Sequence, residues 1–189
     1  MTKVYQFMAD GFEDIEALAP VDILKRGGID VQTVSIMGRE WVESANGISI
    51  KTDLLFEDGD YEDAEMLLLP GGMPGASHLK HHEGLRQLLL NHAAKGRRIG
   101  AICAAPMVLG SLGLLEGKRA TCYPGFESQL KGAEYTGQPL TVDDIIVTAK
   151  GPGVSLPYGY CLLSILEGDD EARNIQQQMM YPYPLERDI

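Results

Sequence analysis

Met66-Leu67-Leu68-Leu69-Pro70-Gly71-Gly72 decides the fold: an unbroken apolar run is ended at once by a proline and a glycine pair. A strand with no polar alternation belongs to a sheet covered on both faces. Arg98-Ile99-Gly100-Ala101-Ile102 repeats the pattern, and residues 84–95 between the two runs read as a helix.

Working toward the N-terminus, residues 3–8 read as a strand and 29–36 as a second. Residues 13–26 between them form a helix whose apolar stripe is Ile15, Leu18, Val21 and Leu24, stopped by Gly27-Gly28. Pro20 cannot donate to the carbonyl of Glu16, which predicts a kink in that helix. Trp41-Val42 and Ile48-Ser49-Ile50 flank the turn-prone Asn46-Gly47 as a small hairpin.

Toward the C-terminus, a helix at 104–112, a strand at 119–122 and a short helix at 126–130 continue the alternation, with strand structure at 142–144 and 145–149. A long helix spans 154–166, with Ser155 as its cap and Pro157 in its first turn. Residues 171–180 form a terminal helix, and from about 181 the chain is an extended tail or a clamp on a neighbour. Alternating strands and helices predict one α/β domain over 1–189, with a doubly wound, mainly parallel sheet and helices on both faces.

The formal net charge of -11 opposes a phosphate backbone, and the basic residues are scattered, so nucleic acid is not an expected partner. No apolar run approaches the roughly 18 residues of a membrane span. The first residues lack a basic, cleavable leader, and the default location is cytoplasmic. Cys103, Cys122 and Cys161 are widely spaced, which suits neither a disulfide framework nor a zinc cluster, so reduced thiols are expected. His78 and His82 at helical spacing make a weak metal pair that reads better as a solvated face; no metal and no cofactor are expected.

In an open α/β sheet the ligand crevice lies beyond the carboxyl ends of the strands. Cys103 ends an apolar strand and is followed by small residues, as a sharp strand-to-helix turn beneath a nucleophile requires; the competing reading is a buried inert cysteine. A helix N-terminus there favours the thiolate. Glu16 follows the first strand, either as a crevice carboxyl that stays protonated or as part of a solvated face with Glu13 and Asp14. Gly71-Gly72 and the N–H of Ala104 complete an oxyanion pocket, or the glycine pair is a plain turn. Cys122 is a second redox thiol or a core residue, and Cys161 is packing.

Taken in order, Glu13-Asp14-Ile15-Glu16-Ala17, Leu68-Leu69-Pro70-Gly71-Gly72, Ala101-Ile102-Cys103-Ala104-Ala105-Pro106 and Gly151-Pro152-Gly153 closely resemble the ThiJ/PfpI superfamily, the DJ-one/PfpI family. The similarity is strongest to the branch that contains the human parkinsonism-linked protein and its bacterial relatives. The resemblance implies a flavodoxin-like fold, a homodimer and a readily oxidised cysteine. It implies Cys103 as nucleophile, Glu16 as its protonated partner, and Gly72 and Ala104 as backbone donors, with Gly71, Tyr123 and Asn46 around the pocket. In a dimer, the partner's turn at 44–46 is the segment expected to enter that pocket. Tyr123 stands where the human branch carries a histidine, and a phenol, titrating near pH 10, cannot replace imidazole as a base.

The activity implied is that of a glutathione-independent glyoxalase or protein deglycase, on a small aldehyde or a glycated adduct. The alternative is a redox sensor or holdase chaperone working through oxidation of Cys103. A cysteine peptidase is disfavoured because Ala104, not histidine, follows the cysteine. A thiamine-biosynthesis label borne by some relatives finds no residue here to give it a mechanism.

Overall fold

The computed structural model describes residues 2–184, so the end of the expected tail, 185–189, lies outside the described residues. Strands β1 (Lys3–Met8), β2 (Asp30–Ser35), β3 (Trp41–Glu43), β4 (Ser49–Lys51), β5 (Leu54–Leu55), β6 (Met66–Leu69), β7 (Arg98–Ile102), β8 (Arg119–Ala120), β9 (Glu134–Tyr135), β10 (Leu140–Asp143) and β11 (Ile146–Ala149) alternate with six α-helices. The helices are α1 (Asp14–Arg26), α2 (Gly75–His81), α3 (Glu83–Ala94), α4 (Pro106–Ser111), α5 (Ser155–Glu167) and α6 (Asp169–Gln178).

The main sheet has the order β10-β11-β7-β6-β1-β2-β5, parallel throughout except for the β10–β11 pair. Its central five strands carry the flavodoxin-like order, which reverses direction between β1 and β6. Both faces are covered, as the apolar runs predict. Met66 and Leu68 pack into the core shared with α1, α5 and α6, whereas Leu67 and Leu69 join Leu85, Leu89 and Val108 of α3 and α4 on the other side.

Several expectations are corrected. Helix α2 precedes the expected helix, which runs from Glu83; a polar, histidine-rich stretch beginning at Gly75 hid it. His82 is extended between the two helices and its Nδ1 accepts from Leu85 N at 3.0 Å, so His78 and His82 do not share a continuous helix. The edge strand β5 was too short to read. The strand expected at 119–122 shrinks to β8, which pairs with β9 in a separate sheet, and the short helix at 126–130 is a 3-10 turn over Glu127–Gln129. Ser155 is the first residue of α5, not its cap, and its Oγ has no partner.

Helix α1 runs through Pro20. Its buried face differs from the expected stripe: Glu16, Ala17, Pro20, Val21, Ile23 and Leu24 face inward, while Ile15 is 53% and Leu18 is 39% exposed. The hairpin forms as expected, with Val42 opposite Ile50. Tyr181 stacks on Tyr160 of α5 with ring centroids 4.9 Å apart, so the tail begins docked on its own chain.

Candidate functional site

The sheet reverses between β1 and β6, and there the loops after β1, β6 and β7 meet. The Glu13 side chain accepts from the N–H of Glu16 at 2.8 Å and caps α1, while Glu13 N donates to Gly71 O at 3.0 Å. These bonds tie the first two loops together. They turn Glu16 inward, leaving it 1% exposed, and its Oε2 accepts from Gly71 N at 3.0 Å. The solvated-face reading of Glu16 is thereby excluded.

Cys103 follows β7 with φ 65°, a left-handed conformation that a non-glycine residue adopts only where its surroundings hold it. Its N–H donates to Ala149 O at 2.9 Å, and its carbonyl accepts from Tyr123 N at 2.9 Å. Cys103 is 8% exposed. A Cβ added to Gly71 would lie 2.5 Å from Glu16 Oε2 and 2.6 Å from Cys103 Cβ, so carboxyl and cysteine press on the same point and only glycine fits between them. Gly72 has φ 86°, and a side chain on it would also strike Gly11 O at 2.5 Å.

Burial pushes the Glu16 carboxyl up to about 7; the Glu13 charge adds to this, while the Cys103 thiol and the Gly71 N–H oppose it. Burial also pushes the Cys103 thiol well above the usual range, reinforced by the charge of Glu16 and its hydrogen bond; the N–H groups of Gly72 and Ala104 pull the other way. This corrects the expectation that a helix N-terminus favours the resting thiolate. Helix α4 starts only at Pro106, beyond the turn, and desolvation outweighs it. Burial thus disfavours charge on both groups, and the pair shares at least one proton near neutral pH. Thiol and carboxyl interact, yet Oε1 meets no partner at hydrogen-bonding geometry. The contact has still to tighten for proton transfer, as catalytic contacts commonly do when substrate binds.

Tyr123 lies at the mouth, 45% exposed, its ring against Gly151. With Pro124, Lys150, Pro152 and Val154 it lines a cavity of about 280 Å³. Asn46 sits outward on the hairpin turn, where Nδ2 donates to Asp14 Oδ2 at 2.7 Å. Cys122 is buried and pushed up to about 11 by that burial, and Cys161 lies in the core. Among the described residues no group of three or more His, Cys, Asp or Glu is placed to hold a metal, and no helix is long and apolar enough to cross a membrane.

Tyr158, at the floor of the site, escaped sequence reasoning. The hydroxyl of Tyr158 presses on Gly100, where a Cβ would collide with it. A lone glycine inside an apolar strand was the available signal, since it marks a close approach by another group.

The chain matches the DJ-1/PfpI family over residues 2–164. It is 36% identical to Protein DJ-1 homolog B of Arabidopsis thaliana across 96% of this chain and 42% of that one, so it spans less than half of that relative's length. A Caenorhabditis elegans protein named a glutathione-independent glyoxalase is 30% identical over 86% of this chain and 87% of its own. A Pyrococcus abyssi protein named a deglycase is 29% identical over 80% of this chain and 91% of its own. The solved structure of oxidized Toxoplasma gondii DJ-1 superposes with a TM-score of 0.93 at 34% identity, covering 97% of this chain and all of that one.

Proposed function

Because the chain belongs to the DJ-1/PfpI family, some of whose members are named for glyoxalase or deglycase activity, we propose that it is a cysteine-dependent enzyme acting on reactive carbonyls, with Cys103 as nucleophile and Glu16 as its proton carrier. The observation that carries this reading is the buried Glu16 carboxyl held against a thiol on a left-handed turn.

With methylglyoxal, the Cys103 proton passes to the Glu16 carboxylate as sulfur bonds to the aldehyde carbon. The resulting oxyanion is held by the N–H groups of Gly72 and Ala104 and takes a proton to give a hemithioacetal. Glu16, ionised again, removes the C1 proton to form an enediol, and protonation at C2 leaves a thioester. Carbon 1 has been oxidised and carbon 2 reduced, so no external redox partner is needed. Water then cleaves the thioester, releasing lactate and restoring the thiol. The test is lactate formation by purified protein; production no greater than that of Cys103→Ser would sink the reading.

A second reading has support of its own. The Gly72 and Ala104 N–H groups that face Cys103, together with protonated Glu16, also suit a cysteine sulfinate, so the site is equipped for redox sensing. Mass spectrometry after mild peroxide separates the two: selective gain of two oxygens at Cys103 without lactate turnover favours sensing. A homodimer is also part of the proposal. Ile15 and Leu18 on α1 are exposed, as are Trp41 and Ile48 on the hairpin tied to α1 through Asn46 and Asp14; a second copy would cover them.

A further inference from the structure

Helices α1 and α5 pack together over the sheet face beneath Cys103, and four buried side-chain oxygens on these two helices lack a partner: Asp14 Oδ1, Glu16 Oε1, Ser155 Oγ and Tyr158 OH. Buried polar atoms are normally satisfied, so several orphans on neighbouring elements point to a polar function. Ser155 and Tyr158 are three residues apart and share one face of α5. Tyr158 is 1% exposed, and its hydroxyl lies under Gly100 in the strand that ends at Cys103. Phenylalanine would fill the same space without an orphaned hydroxyl.

We propose that Tyr158 is a positioning residue for Glu16, its buried hydroxyl supplying, through an internal water, the donor that the ionised carboxylate lacks at Oε1. Buried waters characteristically satisfy polar groups that have no protein partner. The proposal rests on the assignment of Glu16 as proton carrier and extends it. Gly71 N–H already serves Oε2, and a donor at Oε1 stabilises the carboxylate that must accept the cysteine proton. The ionisable groups around the pair are Glu13 at the cap of α1, Cys103 just after β7 and Cys161 on α5; burial dominates the elevated pKa of Tyr158, to which Cys161 and Glu16 add by charge. At neutral pH the phenol therefore remains a donor.

The experiment titrates Glu16 directly, by carbon NMR of carboxyl-labelled glutamate in the whole chain, assigned by comparison with Glu16→Gln. In Tyr158→Phe the Glu16 midpoint should rise by about half a unit or more, because a donor to the charged form is lost. Tyr160→Phe is the control: its hydroxyl donates to Met179 Sδ at 3.3 Å, away from the site, and its removal should leave the midpoint unchanged. An unchanged or lowered midpoint in Tyr158→Phe, or an equal shift in the control, would overturn the proposal. The measurement needs no substrate, so failure to form lactate would defeat the carbonyl reading without touching this result.

Discussion

Glu16 and His92 are both buried beneath helices that cover the sheet, on opposite faces and at opposite ends of it, and the contrast separates what the fold uses for chemistry from what it uses for stability. His92 lies on α3, and its Nε2 is 3.1 Å from Arg98 O at the start of β7. Burial pushes it down to about 4, with Arg97 and Lys95 helping and the carbonyl opposing, so it stays neutral and bonded. Glu16, beyond the far end of β7, is pushed up to about 7 with one oxygen unpartnered and a thiol beside it. The first group is settled at neutral pH, whereas the second is poised to exchange a proton.

The comparison breaks most sharply on turnover. Glu16→Gln removes the proton carrier and should lower kcat for lactate formation on the order of 100-fold or more, the usual contribution of a positioned acid–base group. His92→Gln should leave kcat within about twofold once folded protein is matched, because nothing at the carboxyl end of the sheet touches it. In the wild type, turnover should rise with pH through about 7 as Glu16 ionises. A loss of turnover in His92→Gln as large as that in Glu16→Gln would erase the distinction between the two ends.

Stability against pH sharpens it with opposite signs. Between about 4.5 and 7 folded Glu16 holds a proton that the unfolded chain has released, so its contribution falls as pH rises, by about 3 kcal/mol in full. Between about 4 and 6.5 the unfolded chain protonates His92 while the folded state does not, so this contribution is fully present above 6.5 and is lost as pH falls, again by about 3 kcal/mol. In the wild type the slopes oppose each other across their shared window. Urea unfolding of Glu16→Gln should show stability climbing more steeply from pH 4 to 6.5 than in the wild type, and His92→Gln should show the reverse. Parallel profiles in all three proteins would mean that neither group is perturbed as the geometry requires.

How much of this was legible follows from the kind of signal each residue leaves. Cys103 could be placed because an apolar strand ends on it, and Gly71-Gly72 because a glycine pair punctuates another. The burial of Glu16 could not be read from its helix alone: the stripe through Ile15 and Leu18 pointed elsewhere, since one side of α1 is apolar without being covered. The thiol's direction of shift depends on desolvation, which no local pattern reports. Helix α2 lacks an apolar stripe long enough to announce it, and Tyr158 in an apolar helix reads simply as core.

The smallest expected effect concerns the space between thiol and carboxyl. Gly71→Ala adds one methyl group where Glu16 Oε2 and Cys103 Cβ already meet, with Ile102 O at 2.9 Å behind them. Gly71 is not in the left-handed region, so the alanine backbone is unstrained and the penalty is steric. Overpacking of this kind costs about 1–3 kcal/mol, and for a chain of this length each kcal/mol lowers Tm by about 2–4 °C. Relief comes most readily from the Glu16 side chain, since Cys103 is fixed by its backbone bonds to Ala149 and Tyr123. The carboxyl would then swing away from both the Gly71 N–H and the thiol. With the carboxylate no longer holding the thiol's proton, alkylation of Cys103 by iodoacetamide at pH 8 should speed toward the rate of Glu16→Gln, while His92 at the other end keeps its stability profile. Wild-type alkylation together with an unchanged Tm would show that thiol and carboxyl are not held in contact across Gly71.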